Sequence, residues 1–360
     1  MRHWQFFVAG FALIGCSRDP APEDSYYISY YDYQPDISDT VNTSFPHDGL
    51  VILPDSQTGT ADSIVLNDSL GLSPDSISLA QDSLDTSVDS VSIPDSMDDW
   101  LFAEIEIRGS LYQSLSSIPG VDSDILGAHC VRYLVWELDP WHGLIAGDSV
   151  RILINPVATQ RENMVMALEY VPVGGSSNNA FSCYVFTKSG DNWPSVWTPN
   201  GLELVRLLDR MPVRTFEEIT SVYGEPRGSQ SHQGLDYKAP QGTPVYSVTG
   251  GSVLRTNWNS AYNGNCIEID FAGYTEMFLH LSSIEACVVP GASIEPGTQV
   301  GSVGTTGASS APHLHYQING SDGYSIDPYL YFSSHRRSLG ADDTIRFNEY
   351  VEQCRVLMGG

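Results

Sequence analysis

The chain reads as a mainly β protein, α+β overall, in which one sheet domain gathers most of the chemistry. Three observations predict this. Alternating apolar and polar runs, the period of a half-buried strand, recur from Leu101 to Thr187 and again from Cys266 to Ile318. Four of the nine histidines, at 232, 280, 313 and 315, fall in the single stretch from Ser231 to Ile318. Between residues 17 and 99 the chain is acidic and poor in core-forming residues, so the folded part begins near residue 100. The expected order is 1–15 as a signal, 16–99 as a tether, 100–212 as a smaller β-rich domain, 213–335 as the histidine-bearing sheet domain and 336–360 as a helical tail.

Met1-Arg-His supplies a short basic start, and Trp4 to Ile14 is an apolar stretch too short to cross a bilayer comfortably. Leu13-Ile14-Gly15-Cys16 resembles a bacterial lipobox. The resemblance implies export, removal of residues 1–15 and lipidation of Cys16. At about 0.8 kcal/mol per buried CH₂, two or more acyl chains would anchor the protein to a membrane surface. Ser17 follows the cysteine where Asp would imply inner-membrane retention, so the expected address is the outer membrane, facing the periplasm. An ordinary signal peptide with a chance cysteine is the alternative.

Residues 17–99 hold 17 Asp/Glu against one Arg, a net of −16 within a chain total of −27. Asp-Ser recurs at 55–56, 62–63, 68–69, 75–76, 82–83, 89–90 and 95–96. A coiled coil does not fit, because the repeat carries Ser, Thr, Gly and prolines such as Pro54, Pro74 and Pro94. The expectation is a disordered tether averaging about 50 Å end to end by √n scaling, extended further by charge repulsion. The tyrosines at 26, 27, 30, 31 and 33 are a candidate docking motif. This linker is where a divisome or wall-synthesis partner would attach.

In 100–212, Leu101 to Arg108 alternates like a strand, Ser110 to Ser117 suits a helical turn and Ile125 to Leu138 a helix. Strands are expected near 149–154, 164–171 and 180–187, with Gly, Asn and Pro between them. His129 and His142 have no carboxylate or cysteine pattern around them and read as structural. Trp136, Trp141, Trp193 and Trp197 read as core, with a sugar-stacking platform as the alternative.

The sheet domain opens with His232-Gln-Gly-Leu-Asp236 and closes with His313-Leu-His315. In a strand, residues two apart project from one face, so both imidazoles of His313-Leu-His315 should reach one pocket. Catalytic zinc takes three protein ligands and keeps an open position for water, whose pKa falls toward about 7. His232, Asp236 and one further His would supply that set. The remaining imidazole would stand close enough to move a proton or to stabilise an oxyanion. His280 lies in Tyr274-Thr-Glu-Met-Phe-Leu-His280-Leu, where Glu276, Phe278 and His280 are expected on one strand face. A lone strand histidine is more often structural; four with an aspartate in one segment are not.

These motifs resemble the lysostaphin-like, M23-type zinc metallopeptidases that cut cell-wall peptides. The shared signature is an H-x-x-x-D opening, Phe278-Leu-His280-Leu281 in the middle strand, and Thr306-Gly-Ala-Ser-Ser-Ala-Pro-His313-Leu-His315. Ala239-Pro-Gln-Gly-Thr-Pro244, Gly264-Asn265 and Gly301-Ser-Val-Gly304 also match. The resemblance implies an antiparallel β-sheet metallopeptidase domain, with Zn²⁺ on His232, Asp236 and His315 and with His280 and His313 as the catalytic pair. Ala311, Phe271 and Pro226 depart from the pattern without removing a ligand. Gly109-Ser-Leu, Gly147-Asp148 and Leu207-Leu-Asp-Arg-Met-Pro212 make 100–212 resemble the accessory domain of cell-shape murein endopeptidases.

The tail should form a helix from about Asp342 to Met358, capped by Asp342 or Asp343, with Ile345, Tyr350, Val351 and Cys354 on its apolar side. Cys130, Cys183, Cys266, Cys287 and Cys354 lack C-x-x-C spacing, so a thiolate zinc site is not expected. Cys266–Cys287 and Cys130–Cys183 are candidate disulfides, and buried free thiols are the alternative. A pI near 4.4 argues against nucleic acid and against charge-driven binding of anionic polymers, so recognition must be local. The reading is a zinc endopeptidase acting on peptidoglycan peptide stems, with the D-Ala to diamino-acid crosslink as the target implied by the resemblance. A regulator of another wall hydrolase and a non-catalytic wall-binding lipoprotein are the alternatives.

Overall fold

The computed structural model describes residues 97, 99–156, 164–174, 180–227 and 229–359. The signal, Cys16, the Asp-Ser tether and the tyrosine cluster lie outside them. Among the described residues no helix is long and apolar enough to cross a membrane.

The first sheet is an antiparallel meander of β1 (Leu101–Glu106), β2 (Ser149–Ile154), β3 (Val165–Val171), β4 (Phe181–Phe186) and β5 (Ser195–Trp197), paired in that order. Between β1 and β2 stand α1 (Leu111–Leu115) and α2 (Ser123–Leu134), capped by the Ser110 and Asp122 side chains. Side-chain oxygens there accept the first free helical N–H groups, which is why the chain turns helical at those points.

The sheet is covered on both faces. Cys183 and Val185 face α2, where the Tyr133 hydroxyl donates to the Val165 carbonyl at 2.9 Å. Tyr184 and Phe186 face the last helix of the chain, meeting Phe347 edge-on at 6.2 and 5.3 Å between ring centroids. That double cover explains why β3 and β4 carry near-continuous buried runs in place of strict alternation.

The second sheet follows β6 (Leu207–Leu208) and is built from β7 (Glu218–Ser221), the β8–β9 hairpin (Pro226–Arg227, Gln230–Ser231), β10 (Leu235–Lys238), β11 (Pro244–Tyr246) and β12 (Gly251–Thr256). After the short α3 (Ser260–Asn263) come β13 (Asn265–Phe271), β14 (Tyr274–Ile284), β15 (Ser293–Ile294), β16 (Gln299–Val303), β17 (His313–Asn319) and β18 (Ser325–Ile326). The main path runs β15-β12-β13-β14-β17-β10-β7, and every pairing is antiparallel. Leu235, Tyr237, Ile267, Ile269, Phe278, Leu314, Tyr316 and Ile318 form the core under one face. Strand alternation therefore pushes Asp236, His315 and Gln317 to the other.

After α4 (Pro328–Tyr331), β19 (Ser334–His335) pairs with β6, bringing the exit of the second sheet beside its entry. The chain then returns to the first sheet as α5 (Ala341–Leu357). Phe347, Tyr350, Val351 and Cys354 are buried in that first core, whereas Ile345 is 62% exposed, so the apolar side turns on Phe347 where the sequence suggested Ile345. Gly340 occupies the cap position without a side-chain bond. Asp343, expected as a cap, accepts instead from the Ser189 N–H and hydroxyl, fastening the helix to the loop after β4.

The two folded layers are pinned by Arg132 to Glu218 (3.1 Å) and by Arg336 to Glu137 (2.7 Å). Trp197 is fully buried, and Trp136 packs against both cores, edge-on to Tyr329. Cys130, Cys183, Cys266 and Cys354 are buried free thiols, which removes both candidate disulfides. Cys130 and Cys183 help fill the first core, and Cys266 packs against Trp258.

Phe347 is wholly enclosed, so Phe347→Ala should cost about 3–5 kcal/mol of stability, read from the urea midpoint. His129 is buried on α2, its Nδ1 is without a hydrogen-bond partner among the described residues, and burial pushes it down to about 4 from 6.5. Between those values the unfolded chain binds a proton that the folded chain refuses, so stability falls as pH falls across that window. His129→Leu should flatten this part of the urea-midpoint profile between pH 7 and pH 4.

Candidate metal and catalytic site

The β10–β17 register places Asp236 directly opposite His315. His232 enters from the β8–β9 hairpin, held by His232 N–H to the Glu225 carbonyl and Gly224 N–H to the His232 carbonyl, both at 2.8 Å. The three side chains meet in a buried knot. His232 Nε2 lies 3.0 Å from Asp236 Oδ1 and 3.0 Å from His315 Nδ1, which is itself 2.9 Å from the same oxygen.

The outer nitrogens decide the inner ones. His232 Nδ1 faces the Val222 carbonyl at 2.9 Å and Ser221 Oγ at 2.8 Å. His315 Nε2 faces Gln317 Oε1 at 3.1 Å. Placing each N–H on the acceptor it meets leaves two imidazole lone pairs aimed at a carboxylate oxygen. Three acceptors about 3 Å apart repel one another unless a cation joins them. The donor set, two imidazoles and a carboxylate with ligand atoms all within 4.8 Å, fits a divalent metal such as zinc. Burial by itself would raise the Asp236 pKa; where the imidazoles instead turn N–H groups to the carboxylate, their hydrogen bonds and charge outweigh burial and hold the carboxyl well below its usual range.

Two more imidazoles flank the knot. His313 Nδ1 donates to the Ala311 carbonyl at 2.9 Å, and its Nε2 stands 3.9 Å from Asp236 Oδ1. His280 Nδ1 donates to the Thr306 carbonyl at 2.9 Å, and its ring centroid is 4.8 Å from that of His313. Each therefore turns an Nε2 acceptor inward. Burial pushes His280 down to about 4, so it is neutral at neutral pH.

The face expected for His280 is corrected by the structure. Glu276 and Phe278 do share the core face, but His280 adopts φ 64° and the β14 register slips around it. This left-handed residue acts as a bulge. Leu279 and His280 both leave the core, and Leu281 returns to it. A strained backbone of this kind persists only where surrounding bonds over-determine it, and here the Thr306 hydroxyl on the Leu281 carbonyl and the Asn265 N–H on that hydroxyl, both 2.8 Å, do so.

All five residues expected at the site are thus brought together. Those missed are the supports: Ser221, Glu225, Arg227, Gln317 and the Thr306 and Ala311 carbonyls. Gln317 was legible from period-two spacing after His315; Ser221 and Arg227 carry no such signal. Glu276 is not part of the site. It lies in the core, accepting from Ser247, Val248, Thr249 and Tyr316.

Residues 230–328 match the model of Peptidase family M23, so the chain contains an M23 peptidase domain. Over 228 residues, 59% of this chain and 50% of the relative, it is 32% identical to Peptidoglycan DD-endopeptidase ShyB of Vibrio cholerae. It is 33% identical to the L-Ala--D-Glu endopeptidase of Bacillus subtilis over 141 residues, 35% of this chain and 43% of that one. Among solved structures, a zinc containing peptidase from Vibrio cholerae is 23% identical, covering 63% of this chain and 69% of that one at a TM-score of 0.30. The chain spans half or less of the length of these curated relatives.

A side chain at Gly234 would place its Cβ 2.2 Å from the Tyr316 carbonyl oxygen and 3.0 Å from His315 Nε2. Gly234→Ala should therefore prise β10 from β17 and cost metal affinity as well as stability. Chelator competition and thermal melts should both fall relative to Gly242→Ala, where the added Cβ meets open space.

Proposed function

We propose that the M23 domain makes this chain a zinc-dependent endopeptidase that hydrolyses peptide crosslinks of bacterial peptidoglycan, between D-Ala and a diamino acid. The observation that carries the reading is the convergence of two imidazole lone pairs on Asp236 Oδ1, with two further inward-facing imidazoles beside it. His232 through Nε2, Asp236 through Oδ1 and His315 through Nδ1 would hold Zn²⁺. When bound, the ion supplies a Lewis acid for the scissile carbonyl and lowers the pKa of a water toward about 7.

The protein's own groups handle the protons. His280 and His313 both present acceptors, so either can take the proton of an attacking water. Once protonated, an imidazole becomes a donor toward the oxyanion or the leaving amine. The His313 side chain is 19% exposed, so of the two it is the more open to water.

The DD bond is favoured because the ShyB match runs well beyond the family segment, into the sequence that precedes it. A non-catalytic binder or regulator has no use for four converging imidazoles. The site of action is the cell envelope. Lipid anchoring at Cys16 to the outer membrane, with the linker open to a divisome or wall-synthesis partner, belongs to this proposal on the strength of Leu13-Ile14-Gly15-Cys16.

The test is purified protein on crosslinked peptidoglycan, read as loss of muropeptide dimers. Chelation should abolish the loss and added zinc restore it. His280→Ala and His313→Ala should each lower the rate about 100-fold or more with zinc still bound, whereas His315→Ala should lose zinc and activity together. Persistent dimers in the presence of zinc-loaded protein would sink the reading.

A further inference from the structure

We infer that Arg227 is a specificity-determining residue, receiving a free carboxylate that the substrate carries on the carbon next to the scissile nitrogen. This rests on the endopeptidase reading and deepens it: the preferred crosslink would be to a diamino acid whose carboxylate is unmodified, not to its amide or to a lysine-type residue.

Arg227 sits in the β8–β9 hairpin, five residues before His232 and paired with Gln230. Its Nη2 donates to Asp236 Oδ2 at 2.8 Å and to Ser221 Oγ at 2.9 Å. Ser221 in turn gives its proton to Glu225 at 2.5 Å and lies 2.8 Å from His232 Nδ1. One guanidinium nitrogen is thereby fixed against Asp236 directly and against His232 through Ser221. A guanidinium carries five N–H donors; among the described residues the three on Nε and Nη1 have no hydrogen-bond partner.

Exposure points the same way. The Arg227 side chain is 49% exposed, against 8% for Asp236, 2% for His232 and 10% for His315. Among the described groups around the ligand carboxylate it is the most open to an incoming molecule, His313 at 19% being the next. The base of its hairpin is closed by His232 N–H to the Glu225 carbonyl and Gly224 N–H to the His232 carbonyl, so the cation is positioned before substrate arrives.

The geometry suits a particular anion. Asp236 turns Oδ1 to His232 and His315 and Oδ2 to Arg227, so one ligand carboxylate joins the guanidinium to the histidine knot. A substrate carboxylate on the carbon following the scissile nitrogen is two bonds beyond the amide, and so must lie close beside that knot. Asp236 and Glu225 stand on this side of the site, and Arg227 is the cation set between them and an incoming anion. Planar guanidinium recognition of carboxylate is what Arg provides and Lys provides less well.

The experiment uses the full chain, zinc-loaded, on two synthetic crosslinked peptides that differ only in a carboxylate or carboxamide at that carbon. The native protein should prefer the carboxylate by about tenfold or more in kcat/KM, the size of a charge-assisted hydrogen bond. Arg227→Gln should reduce the preference to near unity, chiefly through KM for the carboxylate peptide, and Arg227→Lys should retain an intermediate preference. A purely supporting role for Arg227 would slow both peptides equally and keep their ratio, which overturns the inference. Equal cleavage of both peptides by the native chain overturns it without any variant, and leaves the endopeptidase reading standing. Cleavage of neither by the native chain overturns both.

Discussion

The site depends on one strand register. Asp236 opposite His315 in the β10–β17 pair is what brings two ligands, far apart in sequence, to a 2.9 Å contact. A slip of β10 by one residue would send Asp236 into the core and bring Tyr237 out opposite His315, because strand side chains alternate. The register is held from below by Leu235, Tyr237, Leu314 and Tyr316, all fully buried. It is held from within by Gly234, which lets β10 approach the Tyr316 carbonyl more closely than any side chain would allow.

Around that register the protein commits the outer N–H of each of the four site histidines. Val222, Ala311 and Thr306 offer backbone carbonyls and Gln317 offers a side-chain one. Acceptors of this kind fix both tautomer and ring plane, so the inward nitrogens need no reorganisation when charge develops. His280 achieves this at the expense of a left-handed backbone. Without that bulge its ring would point into the core alongside Phe278.

The first sheet and the last helix form a frame around the second sheet. β6 and β19 pair at the entry and exit, and α5 completes a core begun by residues more than a hundred positions earlier. Arg132 and Glu218 then join α2 to β7, the strand that pairs with β10 on the side away from β17. The frame thus bears on the strand that carries Ser221, one step from His232.

The sequence by itself determined the mainly β class, most strands of the first sheet, the C-terminal helix and which five His and Asp residues lie together. These follow from short-range facts: period-two alternation, turn residues and metal-ligand residue types at strand spacing. Tertiary structure decided the rest. That Phe347 and not Ile345 anchors α5 depends on which residue meets Tyr184 and Phe186. That Asp343 binds Ser189 in place of capping its helix depends on a loop 154 positions away. The face of His280 depends on a bulge pinned by Thr306, and Cys130, Cys183, Cys266 and Cys354 are buried as free thiols in cores that distant strands and helices assemble. Arg227 and Ser221 gain meaning only when the hairpin sets them against Asp236. In each case the deciding partner is distant in sequence, and a local pattern holds no record of it.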